Sequence, residues 1–405
     1  MSTATLLRQG AAARERPGEA RSEISRAPRA RPHVCFVAPH AWPVFSRDPA
    51  IQVVGGAEVQ QSILARLFQR AGYRVSMVTL DFGQPARVEV DGVTVHKTYR
   101  AEAGLPVARF LHPRLTSTWR ALAEVDADIY YHRSSAMLTG IVAEFCRRRG
   151  KRAVYAGASD MDFVPGREQI RFRRDRWLYQ HGLRTVDAIV AQNQRQVDTC
   201  LEHYGRSAVL IPSCYHLPPD ARPGSGDTVL WCGTVHTYKR PELLLELARR
   251  LPHRKFVLVG GQGVDETQTA PYYRGILGEA RALGNVHATG FLPLAQVEPH
   301  FDRARVFVNT SEYEGMPNTF MQAWARGIPT VATVDVGARS GPDGRGELIY
   351  RQFSRVEEAA EEIERLFDDR LYWQRASARV REYFEATHSS AEVLARYTRL
   401  FESLA

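Results

Sequence analysis

Two α/β domains, each a doubly wound parallel sheet, are what this sequence predicts. Short apolar runs of strand length recur along the chain and alternate with stretches of helical period, the pattern of βαβ units. The runs are apolar without alternation, as strands buried on both faces are. A segment rich in Pro, Gly, Ser and Asp, Cys214 to Asp227 (CYHLPPDARPGSGD), divides the pattern into two halves of similar size. In open sheets of this kind ligands bind beyond the carboxyl ends of the strands.

The elements follow in order. His33 to Pro39 is a buried strand, and a loop runs from there to Val54. Ala57 to Ala71 is a helix with Val59, Ile63, Leu64, Leu67 and Phe68 on one face, stopped by Gly72. Arg74 to Leu80 and, after an Asp91-Gly92 turn, Val93 to Tyr99 are strands. Asp128 to His132 ends another; Leu138 to Arg149 is helical and Gly150 stops it. Ala153 to Ala158, Ala188 to Gln192 and Ala208 to Pro212 complete the first set. The second opens with strand Thr228 to Cys232 and helix Pro241 to Arg250. Strand Lys255 to Val259, helix Tyr272 to Leu283, strand Asn285 to Thr289 and a helix near Leu294 to Phe301 follow. Strand Ala304 to Thr310 leads through a polar loop to a helix that Pro317 opens, as proline suits the first helical position. Gly327 closes that helix and Ile328 to Thr333 is the next strand. Arg355 to Ala405 reads as helices whose role is packing.

With 405 residues, 44% hydrophobic and 24% charged, the chain has ample material for two cores. A net charge of +9 and a pI near 9.4 point to an acidic partner: a phosphorylated substrate, an anionic membrane or nucleic acid. Nucleic acid is set aside, because no aromatic-interleaved basic motif accompanies the charge. Five dispersed cysteines without CxxC spacing read as reduced core residues and speak against a metal site. No apolar run is long enough to span a bilayer. Residues 1–31 hold seven arginines against three glutamates and lack the apolar centre of a signal peptide, which predicts a disordered basic tail. A cytoplasmic protein is expected, with peripheral contact to an anionic membrane face.

Four groups of residues carry possible chemistry. Glu314 and the amides of Gly315, Met316, Asn318 and Thr319, around Pro317, lie at a helix start, a ready site for an anion. Gln322, polar in an otherwise apolar helix, needs a partner, and a ligand is the expected one. Gly233, Lys239 and Arg240 follow the first strand of the second half (CGTVHTYKRP). Two cations before a helix N-terminus make sense with an anion between them; a solvated basic pair is the ordinary alternative. Gly55-Gly56-Ala57-Glu58 lets a backbone approach a ligand closely, though a plain turn and cap explains it as well. Asp160 and Asp162, after a first-half strand, suit a base or hydroxyl contacts; N-caps account for most such acids. His132 ends a strand, where most histidines are merely hydrogen-bonded. Arg171 to Arg176 (RFRRDR) is first an exposed helix face and second a membrane or phosphate contact.

Taken together these motifs resemble the family-4 retaining glycosyltransferases of the GT-B fold. Glu314-Gly315-Met316-Pro317-Asn318, Gln322-Ala323 and Gly327-Ile328-Pro329-Thr330-Val331 look like the E-x7-E signature and its GxPxV tail. Lys239-Arg240-Pro241-Glu242-Leu243-Leu244 is similar to the donor-phosphate lysine loop, and Gly55-Gly56-Ala57-Glu58 to the N-terminal GGAE element. The likeness runs from Pro32 to near the end. It implies two Rossmann-like domains facing across a cleft, a nucleotide-sugar donor on the second, and an acceptor on the first. It implies that Glu314 holds sugar hydroxyls, that Lys239 grips the diphosphate, and that the second signature position contacts the ribose. It implies no metal and no cofactor beyond the donor. Three positions depart: Gln322 replaces the second glutamate, Thr234 an arginine, and Ala158-Ser159-Asp160 a histidine segment, which turns attention to Asp160.

The expected organisation is a tail at 1–31, an acceptor-side domain at 32–216, a linker at 217–227, a donor domain at 228–386 and a returning helix at 387–405. The expected function is metal-independent, retaining transfer of a hexose from a UDP- or GDP-sugar to a glycan or lipid-linked acceptor. A non-catalytic nucleotide-sugar-binding subunit and an epimerase of the same fold are the alternatives. Catalytic roles fall to Glu314, Lys239 and Asp160. Donor contacts fall to Gly56, Gly233, Lys239, Arg240, Glu314, Gly315, Met316, Pro317, Asn318, Thr319 and Gln322.

Overall fold

A computed structural model describes residues 31–47, 55–105, 108–168, 170–218, 220–224, 226–262, 266–341 and 346–404. The predicted tail, but for Arg31, and residues 48–54 of the first long loop lie outside them.

The first sheet has eight strands in the order β3-β4-β2-β1-β5-β6-β7-β8. They are β1 (Val34–Val37), β2 (Val75–Thr79), β3 (Arg87–Val90), β4 (Val93–Lys97), β5 (Ile129–Arg133), β6 (Arg152–Ala156), β7 (Ala188–Ala191) and β8 (Val209–Leu210). Every residue of the central β1 is buried. Its alternation divides the core in two. Val34 and Phe36 join Phe68, Tyr131 and Tyr397 on one face; Cys35 and Val37 join Tyr130, Phe145 and Tyr155 on the other. The helices of this half are α1 (Trp42–Ser46), α2 (Gly56–Arg70), α3 (Thr116–Val125), α4 (Leu138–Arg149), α5 (Arg173–Thr185) and α6 (Gln194–Tyr204).

The second sheet has six strands in the order β11-β10-β9-β12-β13-β14, paired in parallel throughout. These are β9 (Thr228–Cys232), β10 (Lys255–Val259), β11 (Val286–Gly290), β12 (Ala304–Asn309), β13 (Thr330–Ala332) and β14 (Arg351–Gln352). Around them lie α7 (Pro241–Arg250), α8 (Glu266–Ala282), α9 (Leu294–Asp302), α10 (Asn318–Ala325), α11 (Val356–Asp368) and α12 (Arg370–Thr387). Leu230 and Phe307 pack on Phe320 and Trp324 on one face. Val229, Val306 and Val308 pack on Leu244 and Ile363 on the other.

The last helix, α13 (Ser390–Leu404), returns to the first sheet. Phe401 meets Phe68 with ring centroids 5.4 Å apart, and the Tyr397 and Tyr131 hydroxyls lie 3.1 Å apart. Both chain crossings between the halves run side by side: Tyr215 pairs with Ser389, and His388 Nδ1 lies 2.7 Å from the Ser213 carbonyl.

The two doubly wound domains are as the sequence predicts. Several boundaries differ. β3 pairs antiparallel to β4 at the sheet edge, where alternating rather than uniform apolarity is expected. The first loop contains the short helix α1. β8 is exposed rather than core. Pro317 is the N-cap of α10, not its first residue: its ψ of 137° is extended, so helical geometry starts at Asn318.

Candidate functional site

β12 ends at Asn309 and the chain enters the loop that leads to α10. Residues 310–314 are bound to the loop that follows β9. Thr310 Oγ1 accepts from Trp231 Nε1 at 2.9 Å and donates to the Lys239 carbonyl at 2.6 Å. Glu312 N donates to the Tyr238 carbonyl at 2.8 Å, and the Tyr238 and Tyr313 rings stack at 5.1 Å. Arg240 has a left-handed φ of 45° and turns back, donating through Nε to the Thr310 carbonyl at 2.9 Å. Its guanidinium thus helps hold the loops together, a structural use that its position before α7 does not reveal.

This framework brings Lys239 and Glu314 into one ion pair, 75 residues apart in sequence. Both side chains are mostly buried. Ser311 Oγ donates to the same Glu314 oxygen at 2.7 Å, and the Lys239 ammonium lies 5.2 Å from the Tyr238 ring centroid. Gly233, just beyond β9, bonds through its amide to the Val259 carbonyl at 3.0 Å.

Three segments of the first half meet this loop. Asn318 Nδ2 donates to the Gly56 carbonyl at 3.1 Å, and Gln60 Nε2 donates to Asn318 Oδ1 at 2.7 Å. Met316 N donates to Gln192 Oε1 at 3.2 Å. A Cβ on Gly315 would stand 2.8 Å from the Ala158 carbonyl oxygen. Gly56, Gly315, Met316 and Asn318 are therefore drawn together at one place, where the halves touch. The Met316 amide is already bonded, whereas those of Asn318 and Thr319 open α10 with no carbonyl one turn back. Gln60 and Gln192 did not stand out in the sequence. The only signal was polarity at buried positions, Gln60 on the apolar face of α2 and Gln192 one residue past β7.

Asp160 and Asp162 separate clearly. Asp162 is buried and its Oδ2 accepts from the amides of Ala158 at 2.7 Å and Ser159 at 3.1 Å, forming a capping box with Ser159. Burial raises its pKa, opposed by those amide bonds. It is a cap. Asp160 is half-buried; its Oδ1 accepts from Asn193 Nδ2 at 3.1 Å and Gln196 Nε2 at 3.0 Å. His132 is buried, with Nδ1 2.8 Å from the Val37 carbonyl, and burial lowers its pKa to about 4.

Gln322 has a protein partner in addition to any ligand: Glu298, whose Oε1 accepts from Gln322 Nε2 at 2.9 Å. The five cysteines are free, as expected for reduced thiols. Cys232 at the end of β9 has its thiol pushed up to about 12, first by burial and then by the Glu298 charge, with Lys239 acting the other way. Among the described residues no three His, Cys, Asp or Glu side chains cluster as metal ligands would, and no helix is long and apolar enough to cross a membrane.

Comparison with known proteins finds two family models in tandem. The one described as "Glycosyltransferase Family 4" matches residues 54–216, and "Glycosyl transferases group 1" matches residues 226–369. Mannosylfructose-phosphate synthase of Agrobacterium fabrum is 24% identical over 390 residues, covering 84% of this chain and 85% of that protein. Sucrose-phosphate synthase from Thermosynechococcus elongatus has a TM-score of 0.71 at 20% identity, covering 92% of this chain and 99% of its own. HepE of Anabaena, solved in complex with UDP-glucose, has a TM-score of 0.66 at 15% identity, covering 92% of this chain and 100% of its own. At these identities the structural likenesses speak for the GT-B fold.

Proposed function

We propose that the chain is a family-4-type glycosyltransferase, as the two family models matched in tandem support, and that it is a retaining, metal-independent hexosyltransferase using a UDP- or GDP-sugar. The observation that carries this reading is the Lys239–Glu314 pair, held at the carboxyl end of the second sheet on the loop that runs on to the Gly56–Asn318 contact. An arriving diphosphate offers Lys239 a stronger anionic partner than one carboxylate. Lys239 then takes the phosphate, and Glu314 is released to accept hydrogen bonds from the donor sugar's hydroxyls. The amides of Asn318 and Thr319 add the positive end of α10 to the same anion. These groups stabilise charge as it grows on the leaving diphosphate.

In the transfer step the bond from the sugar's anomeric carbon to the phosphate oxygen breaks. The acceptor hydroxyl bonds to that carbon on the same face, and its proton passes to the leaving phosphate oxygen. The cations that stand in for a metal are Lys239 and the α10 terminus. Asp160, with Oδ1 held by Asn193 and Gln196, keeps Oδ2 for a substrate hydroxyl. The acceptor is a glycan or a lipid-linked sugar. The exposed basic and aromatic surface at the start of α5 supports peripheral contact with an anionic membrane.

Lys239→Ala and Glu314→Ala should each lower transfer about 100-fold or more, with thermal unfolding close to that of the parent. Chelator should leave the parent's rate unchanged. The assay is sugar transfer from a panel of UDP- and GDP-sugars. Full activity in both variants would remove the site assignment.

A further inference from the structure

Gln322 occupies the second signature position, where the resemblance calls for glutamate, and it stands against a carboxylate from another helix. Glu298 on α9 accepts from Gln322 Nε2 at 2.9 Å through Oε1. Its Oε2 accepts from the Tyr215 hydroxyl and from Arg326 Nη2, both at 2.7 Å. Arg326 has a fully buried side chain, donates through Nε to Asp302 at 2.7 Å, and reaches the Gln322 carbonyl at 3.2 Å. Glu298 is thus fixed on both oxygens.

A carboxylate can only accept, so the NH₂ of Gln322 must face Glu298 and its Oε1 must point the other way. The usual ambiguity of a side-chain amide is removed here by chemistry. That Oε1 accepts no hydrogen bond from the described residues, and it is not among the buried polar atoms left without partners. It therefore keeps contact with solvent, although the residue as a whole is buried. Glu298 is also near the carboxyl end of β9, where its charge and that of Lys239 both act on the Cys232 thiol. A glutamate at 322 would put two carboxylates about 3 Å apart in a buried place, where they do not both ionise readily.

We propose that Glu298 is the positioning residue of this site, orienting the Gln322 amide so that Oε1 accepts from a ribose hydroxyl of the donor nucleotide. The pair carries one negative charge, placed on α9 instead of α10. The substitution of glutamine for glutamate is then a relocation of the acid, not a decay of the site. This inference rests on the nucleotide-sugar reading given above.

The test uses Glu298→Gln, Gln322→Glu and the double exchange in the full chain. Readouts are donor KM, kcat, thermal unfolding, and binding of nucleoside diphosphates with ribose or 2′-deoxyribose. Each single variant should raise donor KM about tenfold, one hydrogen bond's worth, with a smaller effect on kcat, and should lose preference for ribose. The double exchange should bring KM back to within about threefold and restore that preference. Single variants that lower only thermal stability, with KM and ribose preference unchanged, would overturn the inference and leave the transferase reading standing. Nucleotide binding that follows the predicted pattern without any transfer would support the inference and sink that reading. A parent that binds no nucleoside diphosphate would sink both.

Discussion

Gly315 owes its identity to residues far away in sequence. A side chain there would meet the Ala158 carbonyl at 2.8 Å and Gln192 Oε1 at 2.9 Å. The first obstacle is backbone and cannot rotate aside. Gly315→Ala should therefore cost roughly 1–3 kcal/mol through overpacking and reduce transfer, because Glu314 is its neighbour. Gly278 lies inside α8 with open space around its would-be Cβ, so Gly278→Ala should leave the rate unchanged and raise the melting temperature slightly; a loss of stability in both variants would refute the account. At this scale the sequence identified Lys239 and Glu314 separately, from loop position and charge. Their pairing was not legible, since it is created by strands β9 and β12 lying side by side. Gln322 was legible as a buried polar group needing a partner, but its partner comes from α9, whose Glu298 looked like any surface acid. Asp160 and Asp162 carry the same side chain, and only the turn geometry after β6 separates the buried cap from the half-buried acid.

Elements with uniform apolarity were readable, and those without it were not. β1 is a buried strand with no polar residue, and β2 and β12 are buried strands in which apolar residues predominate. β3 has an alternating, partly exposed pattern on the sheet edge, so nothing set it apart from a loop. The end of α10 was legible because Gly327 adopts a φ of 68°, a conformation that favours glycine. α13 is the clearest case of tertiary need. Its sequence shows an amphipathic helix, while the partner of its apolar face is decided by the fold. Val393, Tyr397, Leu400 and Phe401 fill the face of the first sheet beside Phe68 and Tyr73. Phe401 is 1% exposed, so Phe401→Ala should cost about 3–5 kcal/mol, read as a lower midpoint in urea unfolding. If α13 were only a loosely attached tail, the midpoint would not move.

For the molecule as a whole, the +9 charge gains meaning from where the apolar surface is left uncovered. Phe172 at 49% exposure, Trp177 at 63% and Leu111 at 61% are large apolar side chains facing solvent. Arg174 lies 3.7 Å from the Phe110 ring centroid and so joins the turn at 110–115 to the start of α5. Arg171 and Arg173 are exposed beside Phe172, with no acidic partner among the described residues. Aromatic rings interleaved with unpaired arginines suit the interface of an anionic bilayer, where each cation contributes about 1 kcal/mol. The patch belongs to the half proposed to hold the acceptor, so adsorption would bring a lipid-linked sugar to the enzyme. Sedimentation with vesicles should therefore show binding when phosphatidylglycerol is present, weakening as salt rises, and none to neutral phosphatidylcholine. Arg171→Glu with Arg173→Glu should reduce that binding at least tenfold, and Trp177→Ser should weaken it further. None of these changes touches the Lys239–Glu314 site, so transfer to a water-soluble acceptor should stay at the parent's rate. Equal binding to neutral vesicles, or binding unaffected by charge reversal, would show that the surface does not serve this purpose.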